Sequence, residues 1–302
     1  MMKRVFLFVV TNLAITLAIT LVLSLLGIGG YRLAGGGLDY SALMVFCLLW
    51  GMGGAFISLQ ISRWSAKRMT GVKLVDGRSG SEEADWVFRT VERLTRQAQL
   101  PMPEVGIYQS DEVNAFATGP SKSRSLVAVS SGLLRNMKRD EAEAVLAHEV
   151  SHIANGDMVT LTLIQGVVNA FVMFASTVIA NIVRNTMQGN RDSRDGGGGG
   201  GFMIEFMVRM VLQVLFGILG GMVVAWFSRG REFRADAGAA ALSGRQGMIN
   251  ALRRLQGTQQ LVDTSEPELA TMKISSGGNR WMMLLSTHPP LEQRITALES
   301  LR

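Results

Sequence analysis

The chain has 302 residues, 48% of them hydrophobic, one cysteine and a formal net charge of +6. A single thiol excludes a disulfide framework, and apolar residues gathered into four long runs exclude a simple soluble globule. The basic excess does not read as a nucleic-acid patch, because the cationic clusters flank the apolar runs, as topology-setting charge does.

The first run, Val5 to Gly27, is uncharged over 23 residues and follows Lys3 and Arg4. About 20 apolar residues, at ~1.5 Å rise each, cross ~30 Å of hydrocarbon. The basic start resembles a signal peptide. Its apolar stretch is too long, however, and Leu26-Gly27-Ile28-Gly29-Gly30 offers no small-x-small cleavage site, so a retained anchor is expected. A short outer loop, about Ile28 to Tyr40, leads to the second run, Ser41 to Ile61, uncharged over 21 residues and holding Cys47.

A polar segment follows, from about Ser62 to Asp157. Ser81 to Gln97 has helical composition, and Val105-Gly106-Ile107-Tyr108, Asn114-Ala115-Phe116-Ala117 and Ser125-Leu126-Val127-Ala128-Val129 read as short strands. Arg139 to Ala154 is rich in Ala, Glu and Leu without Pro or Gly and predicts a helix. The third run, Met158 to Val183, is uncharged over 26 residues. After it, Arg191-Asp192-Ser193-Arg194-Asp195 and Gly196 to Gly201 lack the apolar surface to offset ordering entropy, and disorder is expected. The fourth run, Phe202 to Ser228, carries only Glu205 and Arg209, four residues apart and expected to pair. Small residues at Gly51-Met52-Gly53-Gly54-Ala55 and Gly217-Ile218-Leu219-Gly220-Gly221 suit close packing between the chain's own spans.

The clusters Lys3/Arg4, Arg63/Lys67/Arg68/Lys73 and Arg229/Arg231/Arg234 share one side if all four runs cross, and the positive-inside rule makes that side cytoplasmic. The expected fold class is mainly α with a small β-sheet: four transmembrane helices plus an α+β domain. The parts are a transmembrane hairpin (1–61), a cytoplasmic segment (62–157), a second hairpin with a Gly-rich outer loop (158–228) and a cytoplasmic C-terminal part (229–302).

The chemistry is concentrated in His148-Glu149-Val150-Ser151-His152, which holds two of three histidines. On a helix, residues four apart share a face, so both imidazoles reach one zinc ion while Glu149 projects beside it. A catalytic zinc site usually has three protein ligands and an open position. His288, before Pro289-Pro290, and Glu232 are the candidates for the third. Glu232 and Asp236 are again four apart, suiting a ligand and a carboxylate that holds the far nitrogen of a ligating histidine. The competing account of Glu232-Arg234-Asp236 is a solvated charged helix start near Ser228. Two runs separate Glu232 from His152, and two crossings return the chain to the same side. Glu149 is then placed as general base and later as proton donor to the leaving amine. His288 is either an oxyanion donor or a packing residue before the Pro-Pro turn.

These residues resemble the HtpX-type bacterial heat-shock membrane zinc metalloproteases, relatives of the CAAX prenyl endopeptidases and Oma-type proteases. The match rests on the HExxH segment, on Ser228-Arg229-Gly230-Arg231-Glu232-Phe233-Arg234-Ala235-Asp236, on Asn114-Ala115-Phe116-Ala117, and on His288-Pro289-Pro290 with Arg294. The resemblance implies a zincin, gluzincin-like α+β catalytic domain, with 62–157 as its catalytic segment and 229–302 completing the site. It implies one Zn2+ per chain on His148, His152 and Glu232, Glu149 as catalytic base, and Asp236 behind His148. It makes Asn114, Ala115, Phe116 and Ala117 an edge strand that binds extended substrate, with core packing the alternative for Phe116. It also implies the bacterial inner membrane and quality control of misfolded or damaged membrane proteins at the cytoplasmic face, with no nucleic-acid partner. A dedicated processing protease with one substrate is the alternative within enzymes, and a homo-oligomer stays open. A non-catalytic membrane zinc carrier or sensor is disfavoured, because the four runs hold no His or Asp.

Overall fold

The computed structural model describes residues 21, 25, 37–78, 80–189, 200–265 and 284–301. The first apolar run, apart from Leu21 and Leu25, and the segment 190–199 lie outside them. Among the described residues twelve elements follow in order: α1 (Tyr40–Thr70), β1 (Lys73–Val75), α2 (Glu82–Gln97), β2 (Glu104–Tyr108), β3 (Ala115–Ser121), β4 (Arg124–Ser130), α3 (Ser131–Asn136), α4 (Arg139–Asn155), α5 (Asp157–Gly189), α6 (Gly200–Ser243), α7 (Arg245–Ser265) and α8 (Leu291–Ser300). Three of them, α1, α5 and α6, are long and apolar enough to cross a membrane, with mean hydropathy of 2.0, 1.9 and 2.1. No more than a third of each apolar window is buried inside the protein, which leaves apolar surface for lipid.

The chain divides into two compact units, 1–58 with 162–224, and 59–161 with 225–302. In the first, Leu43, Cys47 and Ala170 form a small buried cluster. Gly51 is required there: a Cβ on it would lie 2.5 Å from Ala170 N and 2.6 Å from Gly166 O. The expected Glu205–Arg209 pair is not formed. Glu205, almost wholly buried, takes an ion pair at 2.8 Å from Arg184 of α5, and Arg209 lies over the Phe206 ring at 5.9 Å. A buried carboxylate is costly without a paired cation, and here Arg184 of the neighbouring helix supplies it.

The second unit carries a four-stranded sheet, order β1-β2-β4-β3. β2 and β4 run parallel, with Val105 opposite Val127, and β3 is antiparallel to β4. Among the described residues β3 is an edge strand. β1 escaped the sequence reading, because three residues are too few to show alternation. Inward side chains Val105, Val127 and Val129 meet α2 and α4 on one face, and Met248, Leu252, Ile295 and Leu298 of α7 and α8 join that core. Tyr108, Leu126 and Ala128 pack with Ala66, Val72 and Phe116 on the other.

Local chemistry fixes the elements that matter. α2 buries Ala84, Val87, Val91 and Leu94 at helical spacing, and the Ser81 hydroxyl accepts from Ala84 N–H at its start. α4 begins where Glu141 accepts from Lys138 N–H at 2.9 Å and ends at Gly156, φ +69°. That left-handed residue lets the next helix start at once, at Asp157. The expected helix start near Ser228 is instead the interior of α6, one helix of 44 residues. No proline interrupts it, so polar residues continue the helix that the apolar ones began.

Candidate metal centre

α4 is the central helix of its unit, buried on nearly every side because Ala142, Ala144, Ala147 and Ser151 let neighbours approach. α6 uses this. Gly238 stands so close to Ser151 that a Cβ there would lie 2.6 Å from Oγ. Asp236 and Glu232, half a turn and nearly two turns earlier on α6, thereby reach the histidine face of α4.

His148, His152 and Glu232 offer ligand atoms all within 4.8 Å of one another. The two Nε2 atoms are 3.1 Å apart. Glu232 Oε2 is 3.6 Å from His148 Nε2, and Oε1 is 3.4 Å from His152 Nε2. A tetrahedral ion with ~2.1 Å bonds has ligand–ligand edges of ~3.4 Å, so the separation of the two imidazoles, and of each from its nearer Glu232 oxygen, is of the size such an ion needs. Each imidazole also meets a carboxylate at its far nitrogen: His148 Nδ1 lies 3.0 Å from Asp236 Oδ1, and His152 Nδ1 lies 2.7 Å from Asp157 Oδ2. The His148 contact is close but off the hydrogen-bond axis. Carboxylates at Nδ1 keep the proton there and turn both Nε2 lone pairs toward each other, an arrangement that calls for a cation between them. Without one, protons take its place. Burial alone would lower His152, but the bonds to Asp157 and Glu232 outweigh it and hold the group up at about 10. Burial likewise opposes a charged His148, and Asp236 and Glu232 raise it in the same way.

Arginines complete the surroundings. Arg294 of α8, 6% exposed, donates from Nε and Nη2 to both oxygens of Asp236, at 2.8 and 2.6 Å. Its Nη1 lies 3.4 Å from Glu232 Oε2. Arg231 donates to the Asp157 carbonyl at 2.8 Å and to Ser228 Oγ at 3.0 Å. Glu149 is half-buried beside the triangle, and its charge helps raise both histidines. His288 stands on the open side with 64% of its side chain exposed and Nδ1 2.8 Å from Glu232 Oε2.

The structure therefore brings together His148, Glu149, His152, Glu232, Asp236 and His288. Asn114 pairs with Ser130 through both backbone groups, N–H to Oγ and carbonyl from N–H, and so starts the edge strand. Ala115 and Ala117 pack against the core that contains α4, whereas the Phe116 ring turns to the opposite face, 5.6 Å from Tyr108. What this strand leaves open along its edge is main chain.

Sequence reasoning missed Asp157 and Arg231 and gave Arg294 no role. One signal was available for Asp157. Gly156 directly after the histidine helix implies a tight left-handed turn, which returns the next carboxylate to the last turn.

The profile of peptidase family M48 matches residues 81–302. A protease HtpX homologue of Nitrosomonas europaea is 52% identical, over 99% of this chain and 100% of that one. Protease HtpX of Idiomarina loihiensis is 51% identical over the whole of both chains. The crystal structure of S. mikatae Ste24p shares the fold at a TM-score of 0.61 and 19% identity, over 99% of this chain and 66% of that longer one.

Proposed function

This chain belongs to peptidase family M48 and is a membrane metalloendopeptidase, and we propose that it cleaves unfolded or misfolded membrane proteins at the cytoplasmic face of a bacterial inner membrane with one zinc ion. The observation that carries the metal assignment is the convergence of His148, His152 and Glu232, whose ligand atoms lie within 4.8 Å of one another at spacings a tetrahedral ion can bridge. Two imidazoles and a carboxylate suit zinc, whose catalytic sites use this donor set. Bound there, zinc would act as a Lewis acid, lowering the pKa of water to ~7 and polarising the scissile carbonyl.

The protein's own residues supply the rest. Glu149 takes a proton from the attacking water and returns it to the leaving amine. His288, exposed at the mouth of the triangle, donates to the oxygen on which charge develops. Asp157, Asp236 and Arg294 hold the ligands in orientation. An extended peptide pairs by its backbone with the free edge of β3, which selects for unfolded segments over particular sequences. The cationic clusters beside the apolar runs support the cytoplasmic orientation.

The test uses full-length protein purified in detergent with chelator, then reloaded with zinc. Cleavage of an unfolded substrate such as casein is expected only after zinc. Glu149→Ala should keep one zinc per chain and lose ~10²–10⁴-fold in rate. Undiminished cleavage by that variant refutes the base assignment, and a zinc-loaded wild type inert toward every unfolded protein refutes the broad substrate class.

A further inference from the structure

The His288 imidazole is exposed, so packing does not fix it. What holds the segment around it is a set of polar contacts to α6. Arg229 Nη1 donates to the carbonyls of Leu284 (3.2 Å) and Ser286 (2.8 Å). Ser286 Oγ then donates to the His288 carbonyl at 2.8 Å. Arg229 sits three residues before Glu232 on the same helix, nearly one turn away. A loop tied to its guanidinium is therefore indexed to the carboxylate that His288 Nδ1 meets at 2.8 Å. On the far side of His288 the chain is anchored by buried Pro289 and by Arg294, whose guanidinium grips Asp236. The histidine is thus suspended between two arginine contacts to α6, one on each side of Glu232.

We propose that Arg229 is a positioning residue for the reaction: by clamping the Leu284 and Ser286 carbonyls it holds His288 at the metal centre. The proposal rests on the role given to His288 above. A guanidinium suits this task because one planar head bonds two carbonyls without rotating, which an ammonium on a flexible stem does less well. Loss of the clamp leaves the zinc ligands in place and frees the loop, so the rate falls while metal and substrate binding persist. A misplacement of ~1 Å in a catalytic group costs ~10²-fold, which sets the scale of the effect.

The experiment compares Arg229→Gln, Arg229→Lys, His288→Ala and the Arg229→Gln/His288→Ala double variant in the full-length, zinc-loaded protein. Zinc content, melting temperature, kcat and KM are measured on one fluorogenic unfolded substrate. The expected result is a ~10–100-fold loss of kcat in Arg229→Gln with KM and zinc content unchanged, partly recovered by Arg229→Lys. The double variant should be no slower than His288→Ala. Arg229→Gln at wild-type kcat, or a further full-size loss on top of His288→Ala, overturns the clamp while leaving the role of His288 intact. Full activity in His288→Ala overturns that role and the clamp with it. If Arg229→Gln does not fold, Arg229→Met, which keeps the apolar stem and removes the donors to both carbonyls, replaces it, with the same kcat loss expected and a wild-type kcat overturning the proposal.

Discussion

Gly238 of α6 faces Ser151 of α4, and the metal triangle depends on how closely these helices approach. In Gly238→Ala the new Cβ would lie 2.6 Å from Ser151 Oγ and 2.9 Å from Ser151 Cβ. Carbon contacts prefer ~3.5–4.0 Å, so the helices must part by about 1 Å. Ser151 is poorly placed to yield: it is 3% exposed, and its hydroxyl donates to the Ala147 carbonyl at 2.8 Å. Two terms oppose each other in the zinc-free protein. Alanine improves helix propensity by ~1 kcal/mol, while overpacking costs ~1–3 kcal/mol, so the net loss is at most ~2 kcal/mol. Metal binding is more sensitive, because ligand distances tolerate only ~0.2 Å. Zinc affinity should fall by ~10–100-fold, as when a ligand loses its support. The assay is competition with a chromophoric chelator, alongside melting with and without zinc. Ser151→Gly in the same chain removes the colliding atoms and should restore most of the affinity. Wild-type zinc affinity in Gly238→Ala would refute the view that this crossing sets the position of Glu232.

Asp157→Asn should lower zinc affinity ~10–100-fold by removing the charge behind His152, measured by the same competition; unchanged affinity would mean the 2.7 Å contact is dispensable. Arg294→Ala removes the buried guanidinium from Asp236 and Glu232, and a loss of ~3–5 kcal/mol in zinc-free stability is expected in denaturant titration. Stability should also follow pH in a stated direction. His152 is held up at about 10 in the zinc-free protein against ~6.5 when unfolded. Its contribution is complete below ~6.5 and is lost as pH rises toward 10, so the zinc-free melting temperature should fall across that window. The zinc-loaded protein needs unprotonated imidazoles, so the gap between the two forms should widen as pH rises. A zinc-free melting temperature that climbs across the window would contradict this.

Much of the centre was legible in the sequence because helical spacing is a local property. His148 with His152, and Glu232 with Asp236, declare a shared face four residues apart in any helix, whatever surrounds it. The apolar runs declare their length in the same way, and three of them are long apolar helices here. Other features depend on separations that no local pattern encodes. Arg294 meets Asp236 across 58 positions and Arg229 meets Ser286 across 57. Arg184 took Glu205 from its expected neighbour because a facing helix brought a better-placed cation. The helix start near Ser228 was misread because composition changes there while the backbone pattern does not.

By itself the sequence determined which side chains offer metal-ligating chemistry on a shared helix face, since residue type and helical period are written along the chain. Only the tertiary structure decided which carboxylate stands behind His152, which arginines brace Glu232, and how near α6 approaches α4. Those outcomes come from packing between segments far apart in the chain, where one glycine facing one serine sets a distance that no spacing rule contains.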